Sequence, residues 1–490
     1  MQIKKTALSI ICLLAINSAF ANNLNCDDKP IRDAVLTKIG YAPTTTSFLE
    51  ISKYCKWQDW VKAQLNNPKL FDDNHIEKDF NNYEIKQKNN LQMMQKYLVE
   101  APPSETPLQH EVFTRRLNYA LYSENRLREM MVWFWFNHFN VYGDSGAIRY
   151  ITSYEEIFRD HPFGNFKDLL FQASTHSSML MYLDNDLNNK KMKLDGTDVG
   201  LNDNQARELL ELHSMGVDGG YTEQDIQELA KILTGFKSIQ KYEYFLDDDF
   251  SKYQKELYSL KTIEELRYFF NKHKQFNVSK IYDNYSLYFD TGHQEGDKKI
   301  LGQTIKYGKD QEIKNAIDII VKHPSTAKFI SKKLYTYFLG TEYNTNLLSS
   351  MEESFKKTNG EIKPLLEILL TSKEFEDNLK KYNNFKNPFE FIVSTTKLSV
   401  NNQKLKDNTD IRNILYNLSF GIHWKITPEG YSLEPMKYQS SNTLHQYINF
   451  ADFAISDKAF GGYQMARENY YQMNKNNYFK FLISPQWINR

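Results

Sequence analysis

One stretch of the sequence decides the fold: Asn202-Asp203-Asn204-Gln205-Ala206-Arg207-Glu208-Leu209-Leu210-Glu211-Leu212-His213-Ser214-Met215-Gly216-Val217-Asp218-Gly219-Gly220-Tyr221-Thr222. Asn202 has the side chain of a helix N-cap, and Gln205, three residues later, is able to complete a capping box. Gly216 stands where a helix commonly ends in a left-handed residue. The stretch therefore predicts a helix over residues 203–215.

A second helix is predicted directly after this stretch. Thr222 is the next N-cap, and Asp225 occupies the third helical position, where a capping partner belongs. Gly219 and Gly220 give the backbone the freedom to make a sharp corner. The sequence thus predicts a helix pair, with the second helix over residues 223–234.

Polar side chains of the same stretch suggest chemistry. Arg207 and Glu211 are four residues apart and share a helix face, which predicts a buried ion pair at the corner. His213 points roughly away from Glu211, so the pattern differs from a zinc-binding His-Glu-x-x-His helix. Glu208 and Glu211 are able to hold a metal only with ligands from elsewhere. The alternative is an Arg–Glu network with a purely structural role.

A second candidate segment runs from Arg126 to Phe139 and is apolar nearly all round, as a buried helix is. Asn137 and His138 near its end are able to bind a metal or a polar ligand. The alternative is a core helix whose polar end is satisfied by neighbouring backbone groups.

A third candidate is the polar loop that begins at Asp184. Asp184, Asp186 and Asn188 match the first oxygen ligands of a calcium loop. Asn189 stands where such a loop requires glycine, so the match is poor. An ordinary polar loop that lines a cleft is the alternative.

Most periodic segments of the chain are typical of helices, including a single long one predicted over residues 111–139. Strand patterns are scarce. The fold class predicted is mainly α, a large multi-helix domain with few short strands. Residues 22–490 are expected to form one domain, and the charged, aromatic segment 237–289 is interpreted as a surface insertion.

The first 21 residues have the features of a secretory signal: Lys4 and Lys5, a short apolar run, and small residues before a predicted cleavage after Ala21. An N-terminal membrane anchor is the alternative. Cleavage leaves 59 basic and 61 acidic residues, a balance that argues against nucleic-acid binding. No later segment is apolar enough to span a membrane. The mature protein is expected in the periplasm or outside the cell.

Two cysteines remain after cleavage, Cys26 and Cys55. An even pair in an exported protein is more often a disulfide than a metal site. The sequence therefore predicts a Cys26–Cys55 disulfide bond.

Together these segments resemble the domain-of-unknown-function 1800 (DUF1800) family of exported bacterial proteins. The matching blocks include residues 126–141, 164–185 and 202–235, and the last is the most specific. Members are often encoded beside a second family distantly similar to sulfatases, and the resemblance suggests such a protein as a partner. The family usually has histidine where Phe136 stands, so a paired-histidine site with His138 would have lost half of its ligands.

Two classes of function follow. The first is an exported enzyme, a hydrolase of envelope or extracellular material, with a divalent metal as its possible cofactor. Its catalytic residues would come from His138, Asp184, Glu208, Glu211 and His213. The second is a non-catalytic binding or assembly protein for an envelope or extracellular ligand. Convergence of His138, Asp184 and Glu208 in one cleft would favour the enzyme.

Overall fold

The structure is a computed structural model of the chain. It describes residues 26–97, 106–143, 146–194, 197–240, 250–381, 384–400, 404–405, 408–456 and 475–490. The predicted signal segment, residues 1–21, lies outside the described residues.

Helices dominate the described residues, which confirms the predicted mainly α fold class. In the first half of the chain they are Lys29–Lys38, Thr45–Ile51, Trp57–Asn66, Asn74–Glu77, Glu84–Gln87, Asn90–Gln95, Thr106–Tyr122, Arg126–His138, Ile151–Asp160, Phe166–Thr175, Ser177–Tyr182, Asn204–Glu211 and Glu223–Leu233. In the second half they are Phe250–Leu257, Ile263–Lys272, Glu312–Lys322, Pro324–Leu339, Thr345–Thr358, Ile362–Leu370, Lys373–Asn378, Pro388–Val400, Thr409–Asn417, Ser441–Ile455, Lys475–Leu482 and Pro485–Ile488.

The strands are short, and all of their pairings are antiparallel. A two-stranded sheet joins β1 (Met192–Leu194) to β2 (Thr197–Val199). Three strands form a sheet in the order β3-β5-β4, and a last hairpin pairs β6 with β7. The bounds of these five strands are Phe236–Lys237 (β3), Val278–Ile281 (β4), Leu287–Phe289 (β5), Lys298–Ile300 (β6) and Gln303–Ile305 (β7).

The Arg126–His138 helix lies at the centre of the core. All 13 of its residues are buried, and it packs against the helices Trp57–Asn66, Thr106–Tyr122 and Ile151–Asp160. Burial on every side explains why the sequence is apolar all round here.

The single helix predicted over residues 111–139 is wrong, because the chain forms two helices that end at Tyr122 and restart at Arg126. The break is held by Asn125. Its Oδ1 atom accepts a hydrogen bond from the Phe71 backbone N–H at 2.9 Å, and its Nδ2 donates to the Phe71 carbonyl at 2.8 Å. Helical periodicity continues across the gap, so the sequence pattern alone did not reveal it.

The described residues of the segment 237–289 form two α-helices and two strands, and they contribute most of a second hydrophobic cluster. Leu266, Phe269 and Phe270 are buried there, and the cluster also includes Leu91 and Tyr150 from the first part of the chain. The segment therefore has apolar packing of its own. Its interpretation as an insertion stays a prediction.

Cys26 and Cys55 form the predicted disulfide bond. It ties the residues before the Lys29–Lys38 helix to the turn before the Trp57–Asn66 helix, where the Asp27 N–H also donates to the Cys55 carbonyl oxygen at 2.9 Å. Among the helices of the described residues, none combines the length and the apolar character needed to cross a membrane.

Candidate functional site

The helix of the 202–222 stretch begins one residue later than a cap at Asn202 would place it. It spans Asn204–Glu211, and its N-cap is Asp203, whose side chain makes no capping hydrogen bond. The predicted Asn202–Gln205 capping box is therefore wrong. The Gln205 side chain instead donates to the carbonyl oxygen of Ser174. A tertiary hydrogen bond thus uses the Gln205 side-chain amide that the local sequence pattern assigned to the cap.

Of the other predictions for this corner, the second helix and its cap are confirmed, whereas the first helix ends four residues before the predicted Met215. Gly216 does have a left-handed φ of +83°, but it lies five residues beyond the helix end at Glu211, so it is not the residue that ends the helix. Thr222 and Asp225 form a capping box at the start of the Glu223–Leu233 helix. The two helices pack against each other.

The predicted buried pair of Arg207 and Glu211 is wrong, because both side chains are partly exposed, at 34% and 26%. Their closest atoms lie 3.6 Å apart, whereas Arg207 comes within 2.8 Å of Glu223. Ala206, Leu209 and Leu210 are the buried residues of this helix, so the charged residues belong to its outer face. The pair is a surface contact of small energetic value.

His138 and His213 come together in the core. Both are buried, and the Nε2 atom of His138 lies 3.0 Å from the backbone carbonyl oxygen of His213. Burial lowers the pKa of His213 to about 3, and the nearby Lys333 ammonium adds to the effect. The pKa of His138 is also well below its ordinary value, first because of burial. Both rings are therefore neutral at pH 7.

Glu208 and Asp184 lie in different surroundings from the two histidines. Glu208 is half-buried, and burial together with the neighbouring Glu211 and Glu429 raises the pKa of its carboxyl group. Asp184 is exposed and has φ +58°. Within the described residues no group of three or more His, Cys, Asp or Glu side chains is arranged to hold a metal ion.

The loop after Asp184 binds the side-chain ammonium group of Lys237. The Nζ atom of Lys237 donates to the backbone carbonyl oxygens of Asn185, Asp186 and Asn188, at 3.2, 2.9 and 2.7 Å. The Asp186 carboxylate accepts from the backbone and side chain of Ser238. The backbone carbonyl oxygens of this loop therefore bind the Lys237 ammonium group. The loop resembles a calcium-binding loop only poorly, and its oxygens serve this lysine instead.

A cleft of about 810 Å³ opens elsewhere, between the Thr106–Tyr122, Arg126–His138 and Ile151–Asp160 helices and the segment around Asp73. We call it the arginine cleft, because Arg115, Arg128 and Arg159 line it. None of the residues predicted from the sequence as functional lines this cleft. The sequence does contain a hint of the cleft, because arginines recur in segments that are otherwise apolar. Such arginines are buried, and a buried arginine requires partners.

Glu129 anchors the floor of the arginine cleft. Its carboxylate accepts hydrogen bonds from Arg128 at 2.9 Å, and from Arg116 and Arg159 at 3.2 Å. The carboxylate is buried, at 2% exposure. Burial alone would raise the pKa of Glu129, but the three guanidinium groups outweigh it and lower the pKa to about 2. Glu129 thus fixes the positions of the Arg116, Arg128 and Arg159 guanidinium groups.

The mouth of the cleft alternates guanidinium and carboxylate groups. The Nη2 atom of Arg115 donates to Glu77 at 3.2 Å and to Glu156 at 2.6 Å. Tyr119 donates its hydroxyl to Glu77, and the Arg115 and Arg159 guanidinium groups lie over its ring, 5.0 and 4.1 Å from the ring centroid. Donors and acceptors are therefore held side by side along one wall.

Comparison with models of protein families shows to which family the chain belongs. The model of the family described as protein of unknown function (DUF1800) matches residues 34–485. The chain belongs to the DUF1800 family. The match includes the helix-pair corner, both core histidines and the arginine cleft. This DUF1800 chain has no match among curated proteins and none among solved structures.

Phe136 bears on the paired-histidine idea for this DUF1800 chain. Its ring packs edge-on against His423, with centroids 4.6 Å apart, whereas His138 faces His213 and Phe166. Positions two apart on a helix point in nearly opposite directions. A histidine at position 136 would therefore approach His423 and the Glu155 carboxylate bonded to it at 3.0 Å, rather than His138.

Proposed function

We propose that this DUF1800 protein is a non-catalytic binding protein, and that the arginine cleft binds a polyhydroxylated ligand of the saccharide class. The observation that carries the proposal is the alternation of fixed guanidinium and carboxylate groups along the cleft wall. A hydroxyl group both donates and accepts hydrogen bonds, so a sugar is able to satisfy both kinds of group at once.

The charge balance of the lining favours a neutral ligand over a strongly anionic one. The basic residues are Lys69, Lys86, Arg115, Arg128 and Arg159, and the acidic ones are Asp72, Asp73, Glu77, Glu156 and Asp160. An anion would meet as many carboxylates as cations. Leu70, Phe71 and Ile85 also line the cleft and offer apolar surface to the C–H face of a sugar ring.

The buried carboxylates beneath the arginine cleft also favour ligand binding. Because Glu129 and Glu155 hold the arginines from below, the side chains lose little further freedom when a ligand arrives. Ordering flexible side chains costs about 0.5–1.5 kcal/mol each at an interface, so a pre-organised cleft avoids much of that cost. The volume is also in the range of ordinary ligand pockets.

We propose export of the mature chain and an envelope or extracellular ligand. The Cys26–Cys55 disulfide supports this, since disulfides persist mainly in oxidising compartments. A protein of the sulfatase-like family remains a predicted partner. Co-purification of a tagged chain from the envelope fraction tests both points.

Binding is tested with the purified chain on an array of neutral and acidic oligosaccharides, followed by calorimetry on any hit. Glu156 lies on the cleft wall and is 38% exposed, and Arg115 and Arg159 keep Glu77 and Glu129 as partners when Glu156→Gln removes its charge. We expect affinity to fall about tenfold, the value of a lost charge-assisted hydrogen bond. Glu353→Gln, on the exposed face of the Thr345–Thr358 helix, is the matched control. Equal binding by Glu156→Gln and wild type would overturn the proposal.

A hydrolase of envelope or extracellular material is the second candidate. It is supported by Glu208, since a carboxyl group with a raised pKa is suited to donate a proton near neutral pH. Its other catalytic residues would be His138, Asp184, Glu211 and His213, with a divalent metal as cofactor. Release of reducing ends from an oligosaccharide that binds, lost in Glu208→Gln but kept in Glu353→Gln, would favour this candidate. Metal analysis of the purified chain tests the cofactor.

A further inference from the structure

A second cleft, which shares no lining residue with the arginine cleft, lies along the Thr106–Tyr122 helix. We call it the asparagine cleft, because Asn118 and Asn408 line it. Its volume of about 230 Å³ is below that of ordinary drug-sized pockets, so it suits a ligand of about one ring. Side chains spaced four residues apart on one helix face form one wall: His110, Thr114, Asn118 and Tyr122. The other lining residues are Asp79, Tyr83, Lys404, Leu405 and Asn408.

The charges of the asparagine cleft cancel each other. The Nζ atom of Lys404 donates to both carboxylate oxygens of Asp79, at 2.6 and 2.7 Å. These two side chains carry the carboxylate and the ammonium group of the described lining residues, and each is occupied by the other. The cleft therefore has no surplus charge to attract an ion, and an uncharged ligand is favoured.

Three polar groups of the asparagine cleft lack hydrogen-bond partners in the described part of the chain. Asn408 is buried at 7% exposure and donates its Nδ2 to Thr114 Oγ1 at 3.0 Å, but its Oδ1 atom accepts no bond. The Nε2 atom of His110 also has no partner. The Asn118 side chain is partly exposed and makes no hydrogen bond. Because buried polar groups normally have partners, these groups favour a polar occupant.

The three groups border the same space. Asn408 bonds to Thr114, which lies one helical turn from His110 on one side and one turn from Asn118 on the other. If the Asn408 amide is turned over, its nitrogen rather than its oxygen is the free atom, and one polar atom of this amide is still without a partner.

Asn118 indicates the chemistry of the occupant. A carboxamide presents an oxygen acceptor and an N–H donor side by side. A ligand with a C=O group next to an N–H group pairs with both at once, as asparagine does with the edge of a nucleic-acid base. Flat apolar surface for the faces of a ring comes from Tyr83, Tyr122 and Leu405.

We propose that the asparagine cleft binds a small, uncharged, planar heterocycle with a lactam edge, of which a free pyrimidine base is the simplest example. Asn118 pairs with the lactam edge, and Asn408 and His110 receive the remaining polar atoms. The site is independent of saccharide binding by the arginine cleft, because the two clefts share no residue.

A pair of probes tests the proposal on the full mature chain by saturation-transfer NMR, which detects weak binding by a small ligand. Uracil has the lactam edge, whereas 1,3-dimethyluracil has the same ring and carbonyl groups without an N–H donor. We expect saturation transfer to uracil and at least tenfold weaker binding of 1,3-dimethyluracil. Absence of transfer to uracil would overturn the proposal, and equal binding of the two probes would refute the lactam edge.

Variants locate the binding. Asn118 makes no hydrogen bond within the described chain, so Asn118→Leu breaks no such bond, and it should weaken uracil binding about tenfold, the value of a bidentate pair. Asn346→Leu, at an exposed helix position, is the matched control and should bind as the wild type does. Unchanged binding by Asn118→Leu would show that uracil binds elsewhere and would overturn the assignment.

Asn408→Ala gives a second test, since it removes the unpaired amide atom and should also weaken uracil binding. It loses the bond to Thr114 as well, so its melting temperature is measured alongside. If this variant does not fold, Asn118→Leu and the two probes decide the matter alone.

Discussion

His138 and His213, 75 residues apart in sequence, are joined in the core by the contact between His138 Nε2 and the His213 carbonyl oxygen at 3.0 Å. A carbonyl oxygen only accepts, so His138 carries its proton on Nε2. Aromatic rings surround the pair, including Phe139 and Phe166. The arrangement keeps both imidazoles neutral and makes folding sensitive to acid.

Stability should fall as the pH falls below neutral. His213 has a folded pKa of about 3 against an ordinary value of 6.5, so between these pH values the unfolded chain binds a proton that the folded chain does not. Such a group costs up to about 1.4 kcal/mol of stability per pH unit. Urea unfolding at several pH values should show a shallower slope for His213→Leu. His161→Leu, at an exposed position, should keep the wild-type slope, and an unchanged slope in His213→Leu would contradict the assignment.

Removing the buried anchor of the arginine cleft should be strongly destabilising. Glu129→Gln leaves the Arg116, Arg128 and Arg159 guanidinium groups around a neutral amide, and stranding buried charge in this way costs about 3–5 kcal/mol. Urea unfolding measures the loss. Glu353→Gln should change stability by less than about 0.5 kcal/mol, as exposed substitutions do. A similarly small effect of Glu129→Gln would show that the arginines find other partners.

Calcium should have no effect on the loop after Asp184, because the Lys237 ammonium already bonds to three of its carbonyl oxygens. The melting temperature of the wild type should be the same in excess calcium and in chelator. Lys237→Met should destabilise the chain by about 1–3 kcal/mol for the acceptors left unpaired. A rise in wild-type melting temperature with calcium would show that the ion displaces the lysine.

Gly216 should tolerate substitution less well than Gly220, although both have positive φ, at +83° and +86°. A Cβ atom at Gly216 would lie 2.9 Å from Cδ2 of Phe329, whereas at Gly220 it would meet nothing within 4 Å. Each alanine variant bears the left-handed backbone cost of about 1–2 kcal/mol. Gly216→Ala should lose a further 1–3 kcal/mol, roughly, from overpacking. Equal unfolding free energies for the two variants would contradict this.

Reduction of the Cys26–Cys55 disulfide should destabilise the folded chain. The two cysteines are 29 residues apart, and closing a loop of this size stabilises by about 3–4 kcal/mol in the chain-entropy model. Urea unfolding with and without reductant measures the difference, and Cys26→Ala/Cys55→Ala should match the reduced wild type. Equal thiol labelling with and without reductant would show that the bond does not form in solution.

The sequence predicted correctly wherever the physical cause is local. Thr222 and Asp225 cap a helix through atoms three residues apart, and Gly216 has the left-handed φ of +83° that glycine adopts without strain. Prediction failed where a distant group competes. Gln205 bonds to Ser174 rather than to its own cap, and Asn125 bonds to Phe71 and interrupts a helix that the pattern continues.

The sequence by itself determined the mainly α fold class, the family, the Cys26–Cys55 bond and the second helix of the pair, because periodicity, caps and cysteine number are properties of neighbouring residues. Tertiary structure alone decided which polar groups meet. It joined His138 to His213, filled the Asp184 loop with Lys237, left Arg207 at the surface, and gathered arginines from three helices around Glu129. Buried charges must find partners across the whole chain, and no local pattern records which partner each will find.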